Sequence, residues 1–354
     1  MNITNAHRIY LDFVNMVKNE TVLTSDCRVH PSTHARHRAC PISRLSTISS
    51  SSEVIGCLWT YTAETSIVQL ATMEPSRVTT PDGIDWYVER FQAKPDDNAE
   101  SNQASHIVLI PSGEGDCHNL QALGKLLADA GYDVISFDMP GYSRTKAPKE
   151  AYAEITPRLV AKQIVTLLDQ LKVSKATFFG NSSGGGAVLA LIALYPERVV
   201  CGIVHEVPIG LSLLSPGELA KLPDEELISL LRDFFRNRFV ESENDGQAKW
   251  DALGSEYHAR LEKNFVVWIH GMGKGAYIMQ SEELATTENL QKRPIFWTVG
   301  GLSGRDHFAK DFEVAEKAGI EVRTDVVNCL HFPYVTVPDR LAEWMVECVR
   351  KVER

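Results

Sequence analysis

The chain has 354 residues, 44% hydrophobic and 23% charged, a composition that suits one large globular domain with insertions and excludes a fibre. Its net charge of -10 sets up a field that repels nucleic acid and anionic lipid and does not exclude neutral small molecules. Seven cysteines (Cys27, Cys40, Cys57, Cys117, Cys201, Cys329, Cys348) are odd in number and lack Cys-x-x-Cys spacing, which fits a reduced compartment better than a disulfide framework.

Met1 to Asp26 has no long apolar core and carries Asp12, Lys18 and Glu20, so neither a secretory signal nor a transmembrane stretch is read there. Residues 28–52 are rich in Ser, Arg, His and Thr, with little apolar surface to offset ordering entropy. Residues 1–75 are therefore expected to be a disordered or loosely attached extension. An Arg- and Ser-rich leader also fits an organelle transit peptide, a reading weakened by the acidic residues before it.

From Arg77 the pattern becomes regular. Val78 to Val88 reads as a β-hairpin turning at Pro81-Asp82-Gly83. Ile107 to Ile110 is a short buried strand, Leu120 to Ala130 a helix stopped by Gly131, and Asp133 to Asp138 the next strand. A helix over about Pro157 to Leu171 leads to the strand Ala176 to Phe179. Later strands are expected at Gly202 to Glu206, Ile295 to Val299 and Val322 to Val327, with a closing helix from about Pro338 to Val352. Alternating strands and helices on short connections imply a mostly parallel sheet covered on both faces. Between Pro208 and Pro294 the alternation gives way to helices, expected at Pro216 to Phe239, at Ala248 to Glu262 and in a stretch centred on Trp268. The expected layout is an α/β core at 76–208 and 294–354 with a helical cap at 209–293.

Gly180-Asn181-Ser182-Ser183-Gly184 joins the strand ending at Phe179 to the apolar helix from Ala187. Strand, G-x-S-x-G and helix describe the nucleophile elbow of an α/β-hydrolase, with glycines two residues either side of a strained serine. That spacing selects Ser182 over Ser183. A glycine-rich turn that only packs a helix, or cradles phosphate, is the plainer alternative, but no Gly-Lys-Ser or Gly-Lys-Thr follows to make a Walker loop. Asn181-Ser182-Ser183 is formally a glycosylation sequon, and a sugar there would bury the nucleophile, which favours the cytoplasm.

The oxyanion donors are expected from the loop after Ile110, at Gly113, and from Ser183. His331 follows the last strand and precedes the closing helix, where the general base belongs. Two acids remain open on position alone: Glu206, at the end of the strand after the elbow helix, and Asp306, in the loop after Trp297-Thr298-Val299-Gly300.

From about Val78 onward these segments resemble the fungal zearalenone hydrolases, lactonases that open resorcylic acid lactones. The likeness lies in Thr80-Pro81-Asp82-Gly83-Ile84, Phe137-Asp138-Met139-Pro140-Gly141, Ser143-Arg144, Ser182-Ser183-Gly184, His205-Glu206-Val207-Pro208, Trp297-Thr298-Val299-Gly300 and His331-Phe332-Pro333-Tyr334-Val335. The resemblance implies Glu206 as the acid, Gly113 and Ser183 as oxyanion donors, and Trp268 as a cap residue against the ligand. The family usually carries a substrate-contacting aspartate where this chain has Ser112, so a neutral hydroxyl replaces a negative acceptor. Residues before about 75 have no counterpart.

The resemblance implies a serine-dependent hydrolase that cleaves a macrocyclic resorcylic acid lactone through an acyl-enzyme, with no cofactor and no metal. Detoxification of a fungal metabolite follows by analogy. The expected partner is a small hydrophobic lactone, with no nucleic acid and no membrane, and a homodimer is allowed. A carboxylesterase for another hydrophobic ester, and a non-catalytic receptor on the same fold, are the competing readings.

Overall fold

The computed structural model describes residues 73–94, 105–210, 216–240, 245–272 and 276–354. The expected extension therefore lies outside the described residues up to residue 72. Met73 to Pro75, placed with it from sequence, belong to the first strand instead.

That strand, β1 (Met73–Thr79), turns through Pro81-Asp82-Gly83 into β2 (Asp85–Phe91) as an antiparallel hairpin. Next come β3 (His106–Ile110), α1 (Gln121–Asp129), β4 (Asp133–Phe137) and α2 (Pro157–Gln170). Thr156 caps α2 by accepting from Leu159 N at 3.2 Å, and Pro157 takes the first helical position, where a missing N–H costs nothing. The elbow joins β5 (Ala176–Asn181) to α3 (Ser183–Leu194), and β6 (Val199–His205) follows. The sheet runs β1-β2-β4-β3-β5-β6 and is completed by two later strands; β2 pairs antiparallel with both β1 and β4, and β3 to β6 pair with one another in parallel.

Two apolar layers sandwich the sheet, and strand alternation assigns residues to each. Val108, Phe178 and Val204 belong to one cluster, and their neighbours Leu109, Phe179 and Ile203 to the other. Helix α3 is buried from Ser183 to Ala193, so it reads as uniformly apolar rather than amphipathic.

The segment expected to form the cap contains α4 (Pro216–Leu219), α5 (Asp224–Val240), α6 (Gly246–Ala252), α7 (Ser255–Met272), α8 (Ala276–Leu284) and α9 (Thr287–Leu290). Two boundaries differ from the sequence reading. The first expected helix is divided before Asp224, where Pro223 favours a helix start over a helix interior. The second is divided at Gly254, whose φ of +84° reverses the chain, and the Trp268 stretch is the continuation of α7 rather than a separate element.

Strand β7 (Ile295–Thr298) pairs with β6, and α10 (Ala309–Lys317) leads to β8 (Val322–Arg323). The expected strand to Val327 stops after two residues. Beyond Arg323 the chain leaves the sheet edge, and the carbonyls of Val327 and Cys329 accept instead from Gly301 N at 2.8 Å and Leu302 N at 3.1 Å. That departure carries His331 over the strand ends. Short α11 (Pro333–Thr336) and the closing α12 (Pro338–Glu353) complete the chain. Among the described residues no helix is long and apolar enough to cross a membrane.

Candidate active site

Ser182 sits between β5 and α3 with φ +50° and ψ -124°, a conformation that costs a side-chain-bearing residue roughly 1–3 kcal/mol. Its flanking glycines are explained by backbone, not by side chains. A Cβ on Gly180 would run into the Gly184 carbonyl, and one on Gly184 would lie 2.7 Å from Ile110 O and 2.8 Å from Pro111 O. The first turn of α3 is thus pressed against the end of β3, beside the loop expected to bind the oxyanion. Ser182 N donates to His205 O at 2.9 Å, tying the elbow to the end of β6.

Glu206 is the residue after β6 and also has positive φ, +48°. Its carboxylate is 1% exposed and takes two directed bonds: Gly300 N donates to Oε1 at 2.9 Å, and His331 Nδ1 lies 2.6 Å from Oε2. Gly300 leaves room for this approach, since a Cβ there would stand 3.0 Å from Glu206 Oε1. Burial opposes ionisation of Glu206, but the positive charge that His205 or His331 carries when protonated, with the His331 hydrogen bond, outweighs it and holds the carboxyl well below the usual range. Asp306, the other acid weighed from sequence, lies exposed in a short 3-10 turn. The loop around His331 is pinned where Asn181 Nδ2 donates to His331 O at 3.0 Å.

On the far side of Glu206 lies His205, fully buried, with Nδ1 2.9 Å from Thr298 Oγ1 and Nε2 3.6 Å from Glu206 Oε1. Burial pushes its pKa down to about 4 despite the neighbouring carboxylate. The imidazole beside Glu206 is therefore neutral at pH 7.

Ser183 opens α3, so its N–H is one of the four that a helix leaves without an internal partner. Its carbonyl accepts from Tyr277 OH of the cap. Gly113 lies directly beneath the Trp268 indole: a Cβ would come 2.6 Å from Nε1 and 2.8 Å from Cζ2. Ser112 and Ser183 line a small cavity whose other walls include Met139, Tyr142, Met272 and Tyr277. Trp268 is placed over Gly113 rather than along that wall, and its Nε1 donates to Met272 Sδ at 3.0 Å.

Sequence reasoning missed the support beneath this loop. Asp116, fully buried, accepts from Arg144 at 2.9 Å and from Arg260 of α7 at 2.7 Å. Burial works against its charge, yet the two guanidiniums hold its pKa below the ordinary value. Asn264, one turn further along α7, donates to Glu114 O at 2.7 Å and accepts from Ser143 N at 2.9 Å. Glu114 itself is fully buried and bonded to Ser112, Asn119 and Tyr334. The signal was present in the 260, 264, 268 spacing, which puts three side chains on one helix face. Glu114 gave none, because a lone glutamate in a glycine loop reads as exposed.

The sequence pattern of the α/β hydrolase fold family matches residues 105–297. The zearalenone hydrolase of Bionectria ochroleuca is 36% identical over 277 residues, covering 78% of this chain and 98% of that protein. The zearalenone hydrolase of Cladophialophora bantiana is 37% identical over 277 residues, covering 78% and 97%. Among solved structures, the enol-lactonase of Burkholderia xenovorans LB400 superposes with a TM-score of 0.59 over 78% of this chain and 100% of its own, at 17% identity, a likeness of fold. Taken with the elbow and the strand order, these likenesses place the chain in the zearalenone hydrolase family of α/β-hydrolases, enzymes of ester and lactone hydrolysis.

Proposed function

We propose that this chain opens the ester of a macrocyclic resorcylic acid lactone through an acyl-enzyme on Ser182. The observations that carry the reading are the 2.6 Å contact between His331 Nδ1 and the buried Glu206 and the strained elbow conformation of Ser182. With Nδ1 committed to Glu206, Nε2 is the basic nitrogen. Ser182 Oγ attacks the lactone carbonyl carbon and its proton passes to Nε2. The tetrahedral oxyanion is held by the N–H groups of Gly113 and Ser183. As the ring C–O bond breaks, Nε2 returns the proton to the leaving alkoxide. Water then gives a proton to Nε2 and attacks the acyl carbonyl; as the bond from that carbon to Ser182 Oγ breaks, Nε2 passes the proton to Oγ, releasing a hydroxy acid and restoring Ser182 and His331.

The substrate class rests on the two zearalenone hydrolases, which match almost end to end. Trp268 and Ser112 are the residues proposed to meet the ring. The four described cysteines are all buried, in keeping with a cytoplasmic location. A carboxylesterase acting on a smaller hydrophobic ester is the second reading. It is favoured by the small size of the cavity that Ser112 and Ser183 line, whose walls are mostly apolar side chains.

Incubation with zearalenone, radicicol and a short p-nitrophenyl ester separates the two. Ring opening of either lactone, abolished by Ser182→Ala, supports the lactonase. Rapid cleavage of the short ester with both lactones intact establishes the esterase in its place. Ser182→Ala is expected to lower turnover roughly 10⁴- to 10⁶-fold without unfolding the chain.

A further inference from the structure

We propose that Asp311 is a positioning residue: from the first turn of α10 its side-chain oxygen holds the peptide that follows Glu206, and so keeps the Glu206 carboxylate aimed at His331. The inference rests on Glu206 being the acid of the reaction proposed above.

Glu206 has φ +48°, which a residue with a side chain keeps only where the surrounding structure over-determines it. Two peptide planes flank its Cα, and each is held by one directed bond. On the side of His205, Glu206 N donates to Thr298 O at 3.1 Å, a bond that continues the pairing of β6 with β7. On the other side, Val207 N donates to Asp311 Oδ2 at 3.0 Å. Beyond it the chain bends back on itself, with Ile209 N donating to Val207 O at 2.8 Å. Val207 also meets the elbow helix, where a Cβ at Gly185 would stand 2.8 Å from Val207 Cγ2. Asp311 thus fixes the point at which the chain leaves β6, and with it the direction in which Glu206 projects.

The Asp311 carboxyl is itself anchored. Trp297 Nε1 of β7 donates to the same Oδ2 at 3.2 Å, and both side chains are fully buried. Among the described residues Asp311 forms no ion pair, and its buried Oδ1 has no hydrogen-bond partner. A buried carboxyl with no cation beside it is less costly neutral than charged. Burial accordingly pushes it well above the usual carboxylate range, and the nearby charge of Glu206 adds to the effect. With the proton on Oδ1, Oδ2 is a carbonyl oxygen that accepts from Val207 and Trp297. Asp311 then acts on Glu206 through the direction of a bond and not through a charge. Asparagine is the neutral isostere of that form, with an oxygen at the accepting position and an NH₂ in place of the hydroxyl.

The test labels Ser182 with diisopropyl fluorophosphate, whose phosphorus takes Ser182 Oγ and releases fluoride, so that no particular ester substrate is assumed. The second-order rate is followed from about pH 5.5 to about pH 9, where its acid limb reports loss of the proton from the general base. The titratable groups around Glu206 are His205 of β6, His331 and Asp311. His205, with its pKa near 4, stays neutral over this range.

Asp311→Ala is expected to slow labelling roughly 10- to 100-fold. Its acid limb should move to lower pH by about half a unit or more, because an imidazolium that loses part of its carboxylate partner gives up its proton more readily. Asp311→Asn, which restores the accepting oxygen, should recover most of the rate and return the limb to its place. A wild-type rate in Asp311→Ala overturns the proposal, as does an equal fall across all pH values with the limb unmoved, the mark of a structural role alone. Asparagine as slow as alanine also overturns it, since the charge and not the bond would then matter. Should Asp311→Ala not fold by circular dichroism, Trp297→Phe decides: it removes the donor that steadies Oδ2, and an unmoved limb refutes the role. Glu206→Gln separates the two readings. If it labels like wild type, Glu206 is not the acid and the inference falls with it. If it is slow while Asp311→Ala is not, the positioning role alone fails.

Discussion

Replacing His205 by glutamine should flatten the acid side of the stability curve, by an amount set by how deeply the imidazole is buried. His205 is held near pKa 4 in the folded chain, against about 6.5 for an unfolded histidine. Between those values the unfolded chain binds a proton that the native chain does not, so stability rises with pH through the window and is lost as pH falls towards 4. At about 1.4 kcal/mol per pH unit, the full difference is about 3 kcal/mol, of which about 2 kcal/mol falls between pH 7 and pH 5. Glu206, with its pKa lowered, makes a contribution that is lost only as pH falls below the ordinary carboxylate range, outside this window. Asp311, pushed well upward by burial, acts in the opposite sense, since its native carboxyl keeps a proton that the unfolded one releases. The wild-type curve alone therefore does not isolate His205, but the difference between wild type and His205→Gln does. Urea unfolding of both proteins at pH 5, 6 and 7 should show wild type losing about 2 kcal/mol more than the variant across the range. Equal losses, within about 0.5 kcal/mol, would refute the assignment of a neutral buried imidazole beside Glu206.

Three further outcomes follow from the same geometry. Glu206→Gln should cut kcat by about 10⁴-fold while Asp306→Asn stays within about twofold of wild type, and the reverse result in steady-state assays would restore Asp306 as the acid. Arg260→Met leaves Asp116 with Arg144 and the Ser143 hydroxyl but without its link to α7; a loss of about 1–3 kcal/mol is expected, and an unchanged Tm would show that the bond contributes nothing. Gly184→Ala drives a methyl group onto two backbone carbonyls that no rotamer can move, so a loss of about 3 kcal/mol or more is expected in thermal melts, and wild-type stability would contradict the close packing of elbow and β3.

Much of this architecture was legible because local and global signals agree. Ser182 was readable from its glycines, and the structure gives the reason in the Gly184 carbonyl and the end of β3. His331 was readable from chain order. The proposed acid was not: Glu206 and Asp306 both follow strands, and only the resemblance separated them, since burial and the Gly300 N–H belong to tertiary contacts absent from the sequence pattern. The β8 segment misled for a related reason. Val326 and Val327 are apolar because they are buried, but they are buried as a loop crossing the strand ends, and apolarity does not distinguish that from a strand. The division of the cap at Gly254 was signalled by a glycine that the helical reading overran.

The least visible feature was the link between cap and chemistry. Electrostatic stabilisation of an oxyanion requires donors that are fixed before the charge develops. The loop from Ser112 to Asp116 contains two glycines and no regular structure, so its rigidity has to come from outside. One face of α7 provides it: Arg260 bonds Asp116, Asn264 bonds the Glu114 carbonyl, and Trp268 covers Gly113. These contacts are spaced one turn apart along a single helix, and each falls on a different residue of the loop. A helix joined in this way serves as the outer wall of the oxyanion loop. Changes on α7 would then alter the placement of the Gly113 N–H without touching substrate, and a cap substitution that lowers kcat while leaving KM intact is the kinetic form such a change should take.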